Sequence, residues 1–178
     1  MGVFRKKKMI KLKKKYNDLD VTDFRDAAFD PIIEIFKTDP DVVLLTNDMG
    51  AMGLDIIKKY APKKVINVGI AEQNMVSIAS GLALSGKKVF VYGILSHIVF
   101  RALEQIKLDV CLPKLPIIFI CVGAGLAYGV DGPTHQGIED ICVLRSLPNL
   151  SIFNPADSFS TSEAINLSYN APLNLAIS

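Results

Sequence analysis

Val65-Ile66-Asn67-Val68-Gly69-Ile70-Ala71-Glu72-Gln73-Asn74-Met75-Val76 reads from left to right as strand, loop and helix. Val65 to Val68 is a short apolar run, and the small, mostly apolar residues from Val76 to Leu84 continue as a helix. The reading leaves one carboxylate, Glu72, at a strand-to-helix crossing, where an open parallel sheet builds its ligand crevice. An isolated acid there also has a purely structural reading, because it complements the positive end of the helix dipole. A second dense segment shifts the balance. Asp131-Gly132-Pro133-Thr134-His135-Gln136 follows another strand-like run and carries one of only 2 histidines in the chain. An acid and a histidine, each in a loop after a strand, point to one active site.

The same alternation extends in both directions. Thr22 is placed to cap a helix running to Lys37, with Phe24, Ala28, Ile32, Ile35 and Phe36 on one face and Pro31 starting its second half. Val42–Thr46 is a buried strand, followed by a helix from Leu54 to Tyr60. In the helix after Glu72, Ala79, Ser80, Gly81 and Ala83 are small enough for close packing against a neighbouring helix or chain. Gly86 stops it before a strand from Lys88 to Tyr92. A helix over Leu95–Leu108, a strand over Ile117–Val122, a helix over Ile138–Ser146 and a strand over Leu150–Phe153 follow. Asp157 or Ser158 then caps a helix to Tyr169, and Leu173–Ile177 forms a last strand. Short continuous apolar strands alternating with helices predict an α/β fold: a three-layer α/β/α sandwich with a mainly parallel sheet of about six strands.

The 178 residues suffice for one well-buried domain, and 50% of them are hydrophobic. Without Trp, aliphatic side chains must carry the core. Residues 1–15 hold Arg5, Lys6, Lys7, Lys8, Lys11, Lys13, Lys14 and Lys15 and no acid, so the net charge of +2 conceals a mildly acidic body. Residues 1–20 are expected to be a solvated basic tail and residues 21–178 the folded domain. Met9, Ile10 and Leu12 are too few for a membrane face, and no aromatic-interleaved basic surface points to nucleic acid. No apolar segment follows the basic start as a signal peptide would require. Cys111, Cys121 and Cys142 lack C-x-x-C spacing, which suggests neither a disulfide framework nor a zinc site and fits a reducing, cytoplasmic setting.

Taken together, Gly69-Ile70-Ala71-Glu72-Gln73-Asn74-Met75, Gly123-Ala124-Gly125, Asp131-Gly132-Pro133-Thr134-His135-Gln136, Ile138-Glu139-Asp140, Leu144-Arg145-Ser146-Leu147-Pro148-Asn149 and Asn154-Pro155-Ala156-Asp157 resemble the pyrimidine-binding domain of the transketolase family. The likeness runs from about Val21 to the end, in the family's order and spacing. That family uses thiamine diphosphate. Its matching glutamate hydrogen-bonds N1′ of the cofactor's aminopyrimidine and promotes the imino form that removes the thiazolium C2 proton. The resemblance therefore implies that Glu72 is catalytic and cofactor-binding. It places His135 and Asp131 near the substrate's hydroxyls, Arg25 where a phosphate can be held, and Asp48 near the cofactor. Burial of Glu72 is expected to raise its proton affinity and suit it to this exchange.

The pattern also departs from the family. Where an aromatic ring usually stacks on the pyrimidine, Leu95, Ile98 and Arg101 stand instead, with Phe100 one residue away from the position. Gly123 stands where many transketolases carry a substrate histidine. No Gly-Asp-Gly motif occurs to hold Mg²⁺ and diphosphate, so both are expected to come mainly from a diphosphate-binding partner chain or domain. The resemblance thus implies a subunit or fragment of a split transketolase-like enzyme, oligomeric, transferring two-carbon ketol units between sugar phosphates. A deoxyxylulose-phosphate-synthase-like or 2-oxoacid-decarboxylating component, and a non-catalytic interaction module, are the alternatives.

Overall fold

Burial in the central strands explains their uninterrupted apolar sequences. A computed structural model of the chain describes residues 24–171 and 174–177. The expected Thr22 cap, the basic tail and Leu173 lie outside the described residues. The elements are α1 (Phe24–Thr38), β1 (Val42–Thr46), α2 (Met52–Tyr60), β2 (Val65–Asn67), α3 (Glu72–Leu84), β3 (Lys88–Ile94), α4 (Leu103–Gln105), β4 (Ile117–Val122), α5 (Asp140–Leu144), β5 (Leu150–Phe153), α6 (Ser158–Asn170) and β6 (Asn174–Ile177). All six strands pair in parallel, in the order β2-β1-β3-β4-β6-β5. The expected layered α/β architecture is therefore present.

Successive strand residues point to opposite faces and feed two separate cores. Val42, Leu44, Phe90, Tyr92, Ile118 and Ile120 pack under α1, α2 and α6. Val43, Leu45, Val89, Val91, Ile117, Phe119 and Cys121 pack under α3, the helical stretch after β3, and α5. Each fully buried aliphatic or aromatic side chain contributes about 1.5–3 kcal/mol, and β1 buries all of its residues.

α1 keeps Pro31 inside one helix rather than starting anew there. The ring removes one backbone donor, yet Phe29, Ile32, Ile35 and Phe36 on either side anchor the helix in the core. Asp157 is the cap of α6: its side chain accepts from the Ser160 N–H at 2.7 Å. The largest departure from expectation follows β3. The single helix expected over 95–108 is instead a π-turn at His97–Arg101, the short α4, and a second π-turn at Ile106–Cys111. The helix expected over 138–146 contracts to Asp140–Leu144.

Gly53 sets the approach of α2 to α1. A Cβ at that position would lie 2.2 Å from Phe29 Cβ, and Phe29 is itself fully buried with its ring edge against Tyr92 at 5.1 Å. Gly53→Ala is expected to cost about 1–3 kcal/mol through overpacking, read as a lower urea midpoint. An unchanged midpoint would mean that α2 moves freely.

Candidate active site

The strand order places β1 beside β3 while their connections leave in opposite directions, β1 through α2 to β2 and β3 onward to β4. This is a topological switch point, which opens a crevice at the C-terminal ends of the strands. Glu72 enters it from the first turn of α3, and its side chain is wholly shielded from solvent. Its position depends on Asn67 at the end of β2. That side chain accepts from the backbone N–H groups of Asp48 at 2.9 Å and Gly69 at 3.0 Å and donates to Asp48 Oδ1 at 3.1 Å. The two loops flanking the crevice are thereby tied together. Gly69 (φ 72°) supplies the left-handed turn into the helix.

Both Glu72 oxygens are bonded. Asn47 Nδ2, from the end of β1, donates to Oε1 at 2.8 Å. Arg101 Nη1, from the π-turn after β3, donates to Oε2 at 2.6 Å. Burial pushes the Glu72 carboxyl up, but its own backbone N–H, Asn47 and Arg101 together outweigh burial and hold it below the usual carboxylate range. The expectation that burial would raise its proton affinity is thus corrected: the enclosing donors stabilise the anion. Asn47 needs space for this contact, and Gly93 on β3 provides it, since a Cβ there would lie 2.3 Å from Asn47 Oδ1.

His135 lies in the long loop after β4. Reciprocal backbone bonds between Gly125 and Gly137, at 2.7 and 3.0 Å, close the base of this loop. Ser96 Oγ donates to Thr134 O at 3.0 Å and pins it to the segment after β3. The rings of His97 and His135 meet edge to face at 4.8 Å, and Tyr128 meets His135 in the same manner at 6.3 Å. Burial lowers the proton affinity of His97, and the neighbouring His135 and Arg101 add to this, while Glu72 opposes it. His97 therefore senses both the Glu72–Arg101 pair and His135, so the two sequence motifs share one electrostatic neighbourhood. At Gly123 (φ 96°) a Cβ would lie 2.4 Å from the Tyr128 ring. The space next to this glycine is filled by Tyr128.

The other expected residues are dispersed. Asp131 is exposed at the end of the Gly129–Asp131 turn, and Asp48 is exposed beside Asn67. Arg25 is half-buried in the first turn of α1, on the opposite face of the sheet from α3. Leu95 and Ile98 are fully buried in the core and present no face to a ring in this conformation. Phe100 lines a shallow groove with Leu103, Lys107, Leu108 and Leu147. Sequence reasoning passed over Asn47 and His97 and treated Arg101 only as a replacement for an aromatic. The four-residue spacing of His97 and Arg101, which puts them on one helical face, is the available signal. Burial pushes the Cys111 thiol up to about 11 and the Cys121 thiol up to about 12, which leaves both unreactive near neutrality. Among the described residues no group of three His, Cys, Asp or Glu could hold a metal ion, and no helix is long and apolar enough to cross a membrane.

The profile of the family described as "Transketolase, pyrimidine binding domain" matches residues 21–178. The chain belongs to this family. It is 38% identical over 149 residues to a subunit of the apulose-4-phosphate transketolase of Phocaeicola vulgatus, covering 83% of this chain and 48% of that protein. It is 45% identical over 127 residues to the 1-deoxy-D-xylulose-5-phosphate synthase of Thermosynechococcus vestitus, covering 71% of this chain and 20% of the relative. Among solved structures, a split-gene transketolase described as an inactive beta4 tetramer superposes with a TM-score of 0.75 at 31% identity, covering 86% of this chain and 50% of that one. The Campylobacter jejuni transketolase shares the fold at a TM-score of 0.78 and 24% identity, over 93% of this chain and 28% of that one. The chain thus spans half or less of the length of these relatives.

Transketolases and deoxyxylulose-phosphate synthases use thiamine diphosphate. The residues of this pyrimidine-binding domain fit the aminopyrimidine end of that cofactor. Glu72 offers a buried carboxyl at the crevice, and beside it Asn47 Oδ1 is a buried acceptor with no partner among the described residues. A buried acceptor without a partner marks hydrogen bonding left incomplete at this end of the sheet.

Because the folded Glu72 carboxyl is held below its unfolded value, its stabilisation is fully present above the ordinary carboxylate range and is lost as pH falls through the folded value. Wild-type stability in urea should therefore decline on acidification through that range, and Glu72→Gln should decline less steeply. Parallel pH profiles would exclude the pair as a stabilising element.

Proposed function

We propose that this chain is the pyrimidine-binding half of a split transketolase-like transferase, acting on sugar phosphates with a diphosphate-binding chain as its partner. The observation that carries this reading is the buried, doubly bonded Glu72 at the switch point. Two of the similar proteins, one a transketolase subunit and the other a split-gene transketolase, support the division between chains. Cytoplasmic location and Mg²⁺ held mainly by the partner belong to the same proposal.

Thiamine diphosphate, when bound, supplies the carbanion chemistry of two-carbon transfer. Glu72 shares a proton with a pyrimidine ring nitrogen at the crevice. His135 and Asp131 bind hydroxyls of the sugar at the loop after β4, and Arg25 holds a phosphate of the substrate. Asp48 borders the cofactor pocket. Leu95 and Ile98, now buried in the core, and Phe100 reach the ring only through a shift of the 97–101 turn. Ile70, Val130 and Ile138, all strongly exposed in the loops after β2 and β4, provide apolar surface for a partner around the crevice.

A deoxyxylulose-phosphate-synthase-like or 2-oxoacid-decarboxylating reaction is the second reading. It is favoured by the Tyr128 ring packed against Gly123, which leaves no room there for a substrate histidine, and by the similarity to deoxyxylulose-phosphate synthases.

Calorimetry with thiamine diphosphate and Mg²⁺, paired with a ketol-transfer assay, tests the proposal. The chain alone should bind weakly and turn nothing over. Mixed with a diphosphate-binding transketolase chain, it should bind tightly and transfer a two-carbon unit from a ketose phosphate to an aldose phosphate. Tight Mg²⁺-dependent binding by the chain alone would overturn the division of labour. Turnover of a 2-oxoacid in place of the ketose would select the second reading.

A further inference from the structure

The two bonds that hold Glu72 are unequal in a way that bears on how the site opens. Asn47 is 5% exposed, rooted at the end of the central strand β1, and its amide fills the space left by Gly93. It has nowhere to move. Arg101 reaches the opposite oxygen from a π-turn, and half of its side chain is in solvent while the Glu72 side chain has no exposure. Four flexible side-chain torsions and a hydrated guanidinium let it withdraw without disturbing the core. A π-turn is also a strained helical geometry, found often where a functional side chain has to be re-aimed.

We infer that Asn47 and Arg101 are positioning residues that form a two-sided clamp on Glu72, with Asn47 as the permanent side and Arg101 as the displaceable side whose place at Oε2 is taken by the cofactor's ring nitrogen. The inference rests on the proposed function for the identity of the incoming group, though not for the clamp itself. The clamp does two things in the free chain. It prevents a buried carboxylate from standing unpaired, which would cost several kcal/mol, and it keeps the carboxyl ionised until a ligand arrives. Withdrawal of Arg101 then removes the nearest positive charge and raises the proton affinity of Glu72, so that the carboxyl takes up a proton from solvent and donates it in a hydrogen bond to the ring nitrogen as that atom comes within reach. A carboxyl that is a poor proton acceptor when empty thereby becomes a better one when occupied. Asp48 lies on the loop tied to Asn67, and His97, on the same turn as Arg101, interacts electrostatically with Glu72, Arg101 and with His135 from the loop after β4.

The first arm uses the full chain alone, labelled with ¹³C at glutamate Cδ, the Glu72 signal being assigned by its loss in Glu72→Gln. Arg101→Met should raise the proton affinity of Glu72 about tenfold, Arg101→Lys should restore part of the difference, and Asn47→Ser should raise it while leaving the Arg101 bond. A Glu72 titration that is the same in wild type and in a folded Arg101→Met variant overturns the clamp. The second arm uses the complex with a diphosphate-binding chain, thiamine diphosphate and Mg²⁺. The Asn47 side-chain amide signal should persist on cofactor addition, whereas the Arg101 guanidinium should pass into fast exchange with water. An Arg101 guanidinium that stays protected with the cofactor bound overturns the displacement. Should the complex fail to bind the cofactor at all, the proposed function falls, while the first arm still decides the clamp.

Discussion

A carboxylate removed from water is the constraint around which the functional end of this domain is built. Taking Glu72 out of solvent is tolerable only if its charge and both oxygens are satisfied. Asn47 and Arg101 do this from two strands' ends that only the switch-point topology makes neighbours. Other features follow from that demand. Gly93 lacks a side chain so that the Asn47 amide fits, Asn67 ties together the loops that carry Asn47 and Glu72, and the chain after β3 forms a π-turn that brings Arg101 onto Oε2.

The layered sheet was legible because its strands are buried on both faces, which leaves runs such as Val42–Thr46 and Ile117–Val122 with almost no polar interruption. Their observed bounds match the reading. The Glu72 and His135 segments stood out for a different reason: each is compact and dense in polar and turn-forming residues, and the structure brings both next to His97. What failed to show depends on partners distant in sequence. Asn47 contacts Glu72 across 25 positions and Arg101 does so across 29, and neither position carries a local signature of that contact. The π-turns were illegible on the same grounds. Residues 95–108 have the composition of an ordinary helix, and the widened turn coincides with the burial of Ile98 and Val99 and the reach of Arg101 to Glu72.

Tyr128, His135 and His97 form a second structural theme, a row of edge-to-face rings beside the carboxyl. Such contacts hold their members in fixed orientation. Gly123 allows the row to seat, because any side chain there would displace Tyr128. The row and the clamp meet at the 97–101 turn, so a change in one is felt by the other through His97 and Arg101. This arrangement gathers an acid, a guanidinium and two imidazoles at one end of the sheet.

The central claim is that Glu72 handles a proton for the bound cofactor. Its most direct test is hydrogen–deuterium exchange at thiazolium C2, followed by NMR, in the complex of this chain with a diphosphate-binding chain. Glutamine keeps the size and hydrogen bonding of glutamate but exchanges no proton, so Glu72→Gln should slow the exchange about 10²–10⁴-fold while His135→Ala leaves it near the wild-type rate. Exchange at the wild-type rate in Glu72→Gln would contradict the account and favour a non-catalytic module.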